Sequence, residues 1–106
     1  MKNNELKTYF DDIITVLAKL DSKTDVFNFL RDLLSEKEII EFSNRFKVAK
    51  MLEDKVSYKD IEKQTWVSST TIARISKFLN GDNKGYKNAI SILKSVSDKH
   101  HTGHHS

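Results

Sequence analysis

Residues 57–79, SYKDIEKQTWVSSTTIARISKFL, read as two short helices joined by a tight turn. Ser57 stands where its hydroxyl can accept from a free N–H of the first helix, and Asp60 at the third helical position makes a weak capping box. Ile61 and Thr65 share the inner face of that helix. The apolar pattern breaks at Trp66, resumes at Val67, and continues as Ile72, Ile75 and Leu79 on one face of a second helix. Ser68 or Ser69 caps this second helix. These spacings are those of a helix-turn-helix, because Ile61 and Val67 must meet Ile72 and Ile75 when the helices cross steeply. The outward residues of the second helix are Ser69, Thr70, Thr71, Arg74 and Lys77. Short donors followed by cations suit a helix that enters a major groove N-terminus first.

Two ordinary amphipathic helices of a bundle would show similar apolar spacing, but they would usually carry carboxylates on the solvent face. Nothing acidic occurs from Gln64 to Gly81. Residues 1–54 hold nine Lys/Arg against eleven Asp/Glu, whereas residues 55–94 hold eight against three. The basic excess therefore coincides with the motif, as a polyanion-binding surface requires.

A chain of 106 residues supports one domain, and its core must be shared among helices. Residues 1–98 are expected to form that domain and residues 99–106 a disordered tail. The sequence contains no Cys, which excludes a disulfide framework, a thiolate zinc site and a cysteine nucleophile. No apolar run reaches membrane-spanning length and no signal peptide is evident, so a soluble cytoplasmic protein without a membrane partner is expected. All four His lie in KHHTGHHS, which reads as a tail or tag remnant rather than a metal site. With no His elsewhere and no carboxylate pair placed together in an apolar pocket, an enzyme is not expected.

Leu6, Tyr9, Phe10, Ile13, Ile14, Leu17 and Leu20 define a first helix over residues 5–20 with a wide apolar stripe. After the break at DSKT, Thr24 or Asp25 caps a short second helix whose Val26, Phe27, Phe29, Leu30, Leu33 and Leu34 cover more than one face. A small monomer can hardly bury so many sides, so the first two helices are expected to pack partly against a second chain. Ser35 and Glu38 form a capping box that opens a third helix from about Glu36 to Glu53. Asn80-Gly81 signals the end of the motif, Gly85 a second turn, and Tyr86, Ala89, Ile90, Leu93 and Val96 a last amphipathic helix. The count is six helices in an all-α fold.

LLSEKEIIEFSNRFKVAKML, SYKDIEKQTWVSSTTIARISKFLN and GDNKGYKNAI together resemble the Trp-repressor family, and within it the YerC/YecD-type branch of small regulators. The resemblance covers residues 25–95 and implies an intertwined homodimer with two helix-turn-helix heads on one side. The function it implies, with the motif, is a sequence-specific transcriptional regulator of repressor type that reads a palindromic operator in double-stranded DNA. In that reading Ser69, Thr70 and Thr71 reach base edges, while Ser57, Lys59, Ser68 and Lys77 hold phosphates and Lys63 adds to the field. Arg74 serves either DNA or an interior site. The alternative is a helical protein-interaction module in which the motif is a packing element.

The family's namesake sandwiches a tryptophan corepressor between two arginines, and Arg45 and Arg74 fall at the matching positions here. Ser35 matches a hydroxyl that helps hold the amino acid. The same resemblance places Ile75 where the repressor has glycine and Phe78 where it has serine. Both imply that the indole space is filled by the protein itself, so a tryptophan corepressor is not expected and the effector stays open. Trp66 is a further departure, because helix-turn-helix turns usually have Gly there to accept a left-handed backbone. Three readings stand: the ring lies over a remodelled turn, it is exposed and touches DNA backbone or sugar, or Trp occupies a position where Gly is native.

Overall fold

The computed structural model describes the backbone of residues 1–104 and the side chains of residues 1–98. Six helices follow in order: α1 Asn3–Lys19, α2 Lys23–Leu33, α3 Glu36–Glu53, α4 Tyr58–Thr65, α5 Ser69–Leu79 and α6 Gly85–His104. The expected count and class hold, and no strand occurs among the described residues. None of the described helices is long and apolar enough to cross a membrane. The chain divides into two units, Met1–Ile39 and Ile40 onward.

The helix ends follow local chemistry. Ser57 Oγ accepts the Asp60 N–H at 3.2 Å, and Ser68 Oγ accepts the Thr71 N–H at 3.3 Å, so each motif helix starts on a serine cap. The Ser35–Glu38 box is reciprocal: the Ser35 N–H donates to Glu38 Oε1 at 2.9 Å and the Glu38 N–H to Ser35 Oγ at 3.2 Å. α2 departs from expectation. Its cap is Ser22, whose Oγ accepts the Asp25 N–H at 3.0 Å, rather than Thr24 or Asp25. A serine two residues earlier adds helical turn and leaves Asp25 in the first turn, where its charge suits the helix dipole.

The first unit has no buried residue. Leu6, Tyr9, Phe10, Ile14 and Val16 of α1 are exposed, as are Phe27 and Leu33 of α2, with Tyr9 at 77% and Phe27 at 62%. Apolar residues at helical spacing are thus present as expected, but this chain alone does not cover them.

The second unit carries the core. Val48 and Ala49 of α3, Ile61 of α4, Ile72, Ile75 and Leu79 of α5, and Ile90 of α6 are buried together. Phe46, Met51, Leu52, Val56, Val67 and Tyr86 pack around them. α5 is the central element, touching α4 on one side and α6 on the other. Two ion pairs tie the end of α3 to α6: Lys87 Nζ to Glu53 Oε1 at 2.7 Å and Lys94 Nζ to Asp54 Oδ1 at 3.7 Å.

The turns differ from a glycine-based expectation. Left-handed backbone occurs at Lys55 (φ 65°), Trp66 (φ 61°) and Lys84 (φ 66°), and at no glycine. Gly81 matters through close approach: a Cβ there would lie 3.2 Å from the Lys77 carbonyl oxygen. The backbone of α6 continues to His104, beyond the expected domain end at 98 and through most of the stretch expected to be a disordered tail. The side chains of residues 99–104 and all of residues 105–106 lie outside the described residues.

Trp66 ends α4 as a left-handed C-cap, with its N–H donating to the Glu62 carbonyl at 2.9 Å. The turn is therefore formed, as a helix-turn-helix requires, with a bulky residue at the position that favours glycine. Its ring is 90% exposed, so it does not lie over the motif. Thr65 stabilises the turn from inside. Its buried hydroxyl donates to the Ile61 carbonyl at 2.7 Å and accepts the Val67 N–H at 3.2 Å.

Relief of the positive-φ strain in Trp66→Gly outweighs the added chain entropy by about 1 kcal/mol or slightly less. The melting temperature of the variant should rise by about 4 °C, as read by circular dichroism; a fall would show that the ring contributes packing. Acid stability gives a second expectation. The Lys87 hydrogen bond holds the Glu53 carboxyl below its ordinary value of 4.5, and the hydrogen bonds from Ser35 do the same for Glu38. A depressed folded pKa contributes stability that is present above pH 4.5 and lost as pH falls through the folded value. Glu53→Gln should melt below wild type at pH 7 and approach it at the lowest pH; a gap that persists there would contradict the ion-pair account.

Candidate nucleic-acid interface

The inner face of α5 is fixed in the core by Ile72, Ile75 and Leu79, which turns the opposite face to solvent. Ser69, Thr70, Ala73, Arg74 and Lys77 are all exposed there. Thr70, Arg74 and Lys77 follow at steps of four and three, which places them along one stripe. The first turn of α5 has no acidic residue. Lys59 and Lys63 are exposed on α4, the other helix of the motif. None of Lys59, Lys63, Arg74 or Lys77 belongs to an ion pair among the described residues. Arg74 and Lys77 thus lie on one exposed stripe of α5, a helix with no acid in its first turn. Lys59 and Lys63 stand outside any ion pair among the described residues, on α4 beside its exposed Asp60 and Glu62. The local excess of cations suits a polyanion.

The sequence-derived positions separate into two groups. Ser69, Thr70, Arg74 and Lys77 of α5 and Lys59 of α4 have free outward side chains. Ser57, Ser68 and Thr71 have local work as well. Ser57 is the α4 cap, and Ser68 both accepts the Thr71 N–H and donates its hydroxyl to Thr71 Oγ1 at 3.1 Å. Thr71 is half-buried and turned toward a cleft of about 370 Å³ lined by Glu41, Asn44, Arg45, Val67, Ser68 and Thr71. The caps organise the N-termini, and the free group supplies the reach.

Two of the corepressor positions, Ser35 and Arg45, have local contacts of their own. Ser35 is in the first unit and its polar groups serve the capping box. The Arg45 guanidinium sits over the Phe42 ring of its own helix, 5.3 Å from the centroid, and lines the cleft, whereas Arg74 is not part of the cleft lining. Ile75 is buried in the core. Phe78 is 65% exposed within its own chain. Its step from Leu79 along α5 carries it off the core face, and bulk alone does not decide which side of a helix a residue occupies.

Asn44 and Tyr58 were not legible as site candidates. Asn44 lines the cleft from α3, and Tyr58 is an exposed aromatic at the first position of α4. The sequence offered a signal only for Tyr58, a large ring directly after an N-cap, where no core position falls.

Comparison with known proteins matches this arrangement. The model of the family described as "Trp repressor protein" matches residues 3–94. The uncharacterised protein YerC of Bacillus subtilis (strain 168) is 31% identical over 96 residues, which is 91% of this chain and 88% of that protein. A solved TrpR-like protein from Eubacterium eligens superposes with a TM-score of 0.78 at 33% identity, covering 87% of this chain and 96% of the other. A solved candidate Trp repressor from Staphylococcus aureus gives a TM-score of 0.78 at 26% identity, covering 89% and 95%. With six helices in register, a formed helix-turn-helix and a match over nearly the whole length, the chain belongs to the Trp repressor family of DNA-binding transcription regulators.

Proposed function

We propose that this protein is a sequence-specific transcriptional regulator of repressor type, acting as a homodimer that reads a palindromic operator through the major groove. One observation carries the reading: the outward face of α5 presents Ser69, Thr70, Arg74 and Lys77 with no acid and no ion-pair partner, while its inner face is held in the core. A helix anchored in this way can enter a groove without rearranging. Ser69 and Thr70 reach base edges, the Thr70 methyl suiting a thymine and the hydroxyls either base or phosphate. Lys59 and Lys77 hold phosphates, Lys63 adds to the field, and Ser57 and Ser68 orient the helix N-termini that face the strand. Thr71 supports the α5 cap, and Arg74 serves the DNA.

Dimerisation is supported by the first unit. Leu6, Tyr9, Phe10, Ile14 and Phe27 are all exposed in a unit that buries no residue, an imbalance that marks an association surface. A second copy of the same helices covers such stripes isologously and sets two heads about 34 Å apart, one turn of the duplex.

The reading assigns no tryptophan corepressor. Burial of Ile75 and a cleft lined by Arg45 but not by Arg74 support that assignment. Titration calorimetry with L-tryptophan should give no saturable heat, and a saturable isotherm would restore the corepressor.

DNA binding itself has a direct check. Affinity for a duplex should fall steeply with salt, and Lys59→Ala and Lys77→Ala should each reduce the log–log slope by about 1. Arg74→Ala should weaken binding by about 1–3 kcal/mol if it meets a base, and uniformly across sequences if it meets phosphate. Binding that is insensitive to salt and to all three substitutions would favour the protein-interaction alternative.

A further inference from the structure

Trp66 is the only tryptophan of the chain and is doubly unfavourable where it stands. Its backbone is left-handed at φ 61° and its ring is 90% exposed. Among the described residues the indole N–H has no hydrogen bond and no cation or ring stacks on it. With the residue 90% exposed, glycine would remove the strain at little loss of internal contact. The residue therefore contributes little to the isolated chain, and what it can contribute is to a partner.

Its surroundings select the partner. Thr65 is buried and Val67 half-buried, and the exposed sequence neighbours of the ring are polar: Glu62 and Lys63 one turn back, then Gln64, Ser68 and Ser69. No carboxylate occurs between Gln64 and Gly81. No other exposed large apolar residue occurs from Glu62 to Thr71, so the adjoining residues offer a protein partner no apolar rim. An anionic partner with C–H faces meets both the ring and the cations. When a recognition helix enters the major groove N-terminus first, the helix before it crosses the sugar–phosphate strand, and the connecting turn lies at the groove wall. Trp66 precedes the first residue of α5 by three positions.

We propose that the Trp66 ring packs on the deoxyribose–phosphate strand at the wall of the groove, its face against sugar C–H groups and its N–H donating to a phosphate oxygen. This inference rests on the DNA-binding reading given above and adds to it a sequence-independent anchor that the motif's usual glycine cannot supply. An indole combines an apolar body with a single donor, which suits a strand that offers both surfaces.

Trp66→Gly separates this role from a structural one, because the two effects have opposite signs. The full-length variant should be more stable than wild type yet bind DNA about fivefold more weakly, the worth of roughly one contact. The loss should be equal for a selected and a random duplex, and the salt slope should not change, since no cation is removed. As the sole tryptophan, Trp66 also reports its own surroundings, so bound duplex should shield its emission from acrylamide. Unchanged affinity in Trp66→Gly, or full acrylamide quenching in the wild-type complex, would overturn the inference while leaving DNA binding intact. Shielding that grows with protein concentration in the absence of DNA would overturn it in favour of a second copy covering the ring. Failure of wild type to bind any duplex at low salt would remove the DNA-binding reading, and this inference with it.

Discussion

Burial of one face of α5 is the constraint on which the rest depends. Ile72, Ile75 and Leu79 sit against Ile61 of α4, Val48 and Ala49 of α3, and Ile90 of α6, all nearly without solvent contact. A fully buried aliphatic side chain contributes about 1.5–3 kcal/mol through area removed from water. Such a cluster can hold a short helix that would not persist alone. The outward face then needs no residues for folding. It can keep four polar side chains and no acid, a composition that helps no other part of the protein.

The chain divides its apolar residues unevenly. The second unit closes a core around the motif, whereas the first has helical stripes of large apolar residues and buries none of them. An element of this kind is completed by association, and the homodimer reading rests on that imbalance. The division also suits an operator reader. In the proposed homodimer the second unit presents the recognition surface, and the first unit sets the distance between two heads.

Much of this was legible in the sequence, for identifiable reasons. Caps at Ser35, Ser57 and Ser68 depend on contacts three residues apart, and the core positions of α5 depend on helical period, so both can be read locally. The limits of α3 and the motif helices were legible for the same reason. The misses depend on choices that local pattern leaves open. Ser22 competed with Thr24 and Asp25 as a cap, and only backbone geometry settles such a contest. Left-handed turns at Lys55 and Lys84 are imposed by how the helices meet, against residue preference. Phe78 was read from its bulk, whereas its exposure within the chain depends on its place along the helix. At the interface, residue types indicated the free cations, while the double use of Ser68 and Thr71 required the hydroxyl geometry.

The central claim is that two such heads, carried by one homodimer, read DNA through the bare face of α5. Selection from a random-sequence duplex library by the purified protein, with sequencing of the bound pool, tests it most directly. The account predicts enrichment of a two-fold-symmetric sequence whose half-sites are centred about one helical turn apart. A bound pool with no sequence preference, or with a lone unpaired half-site, would contradict it.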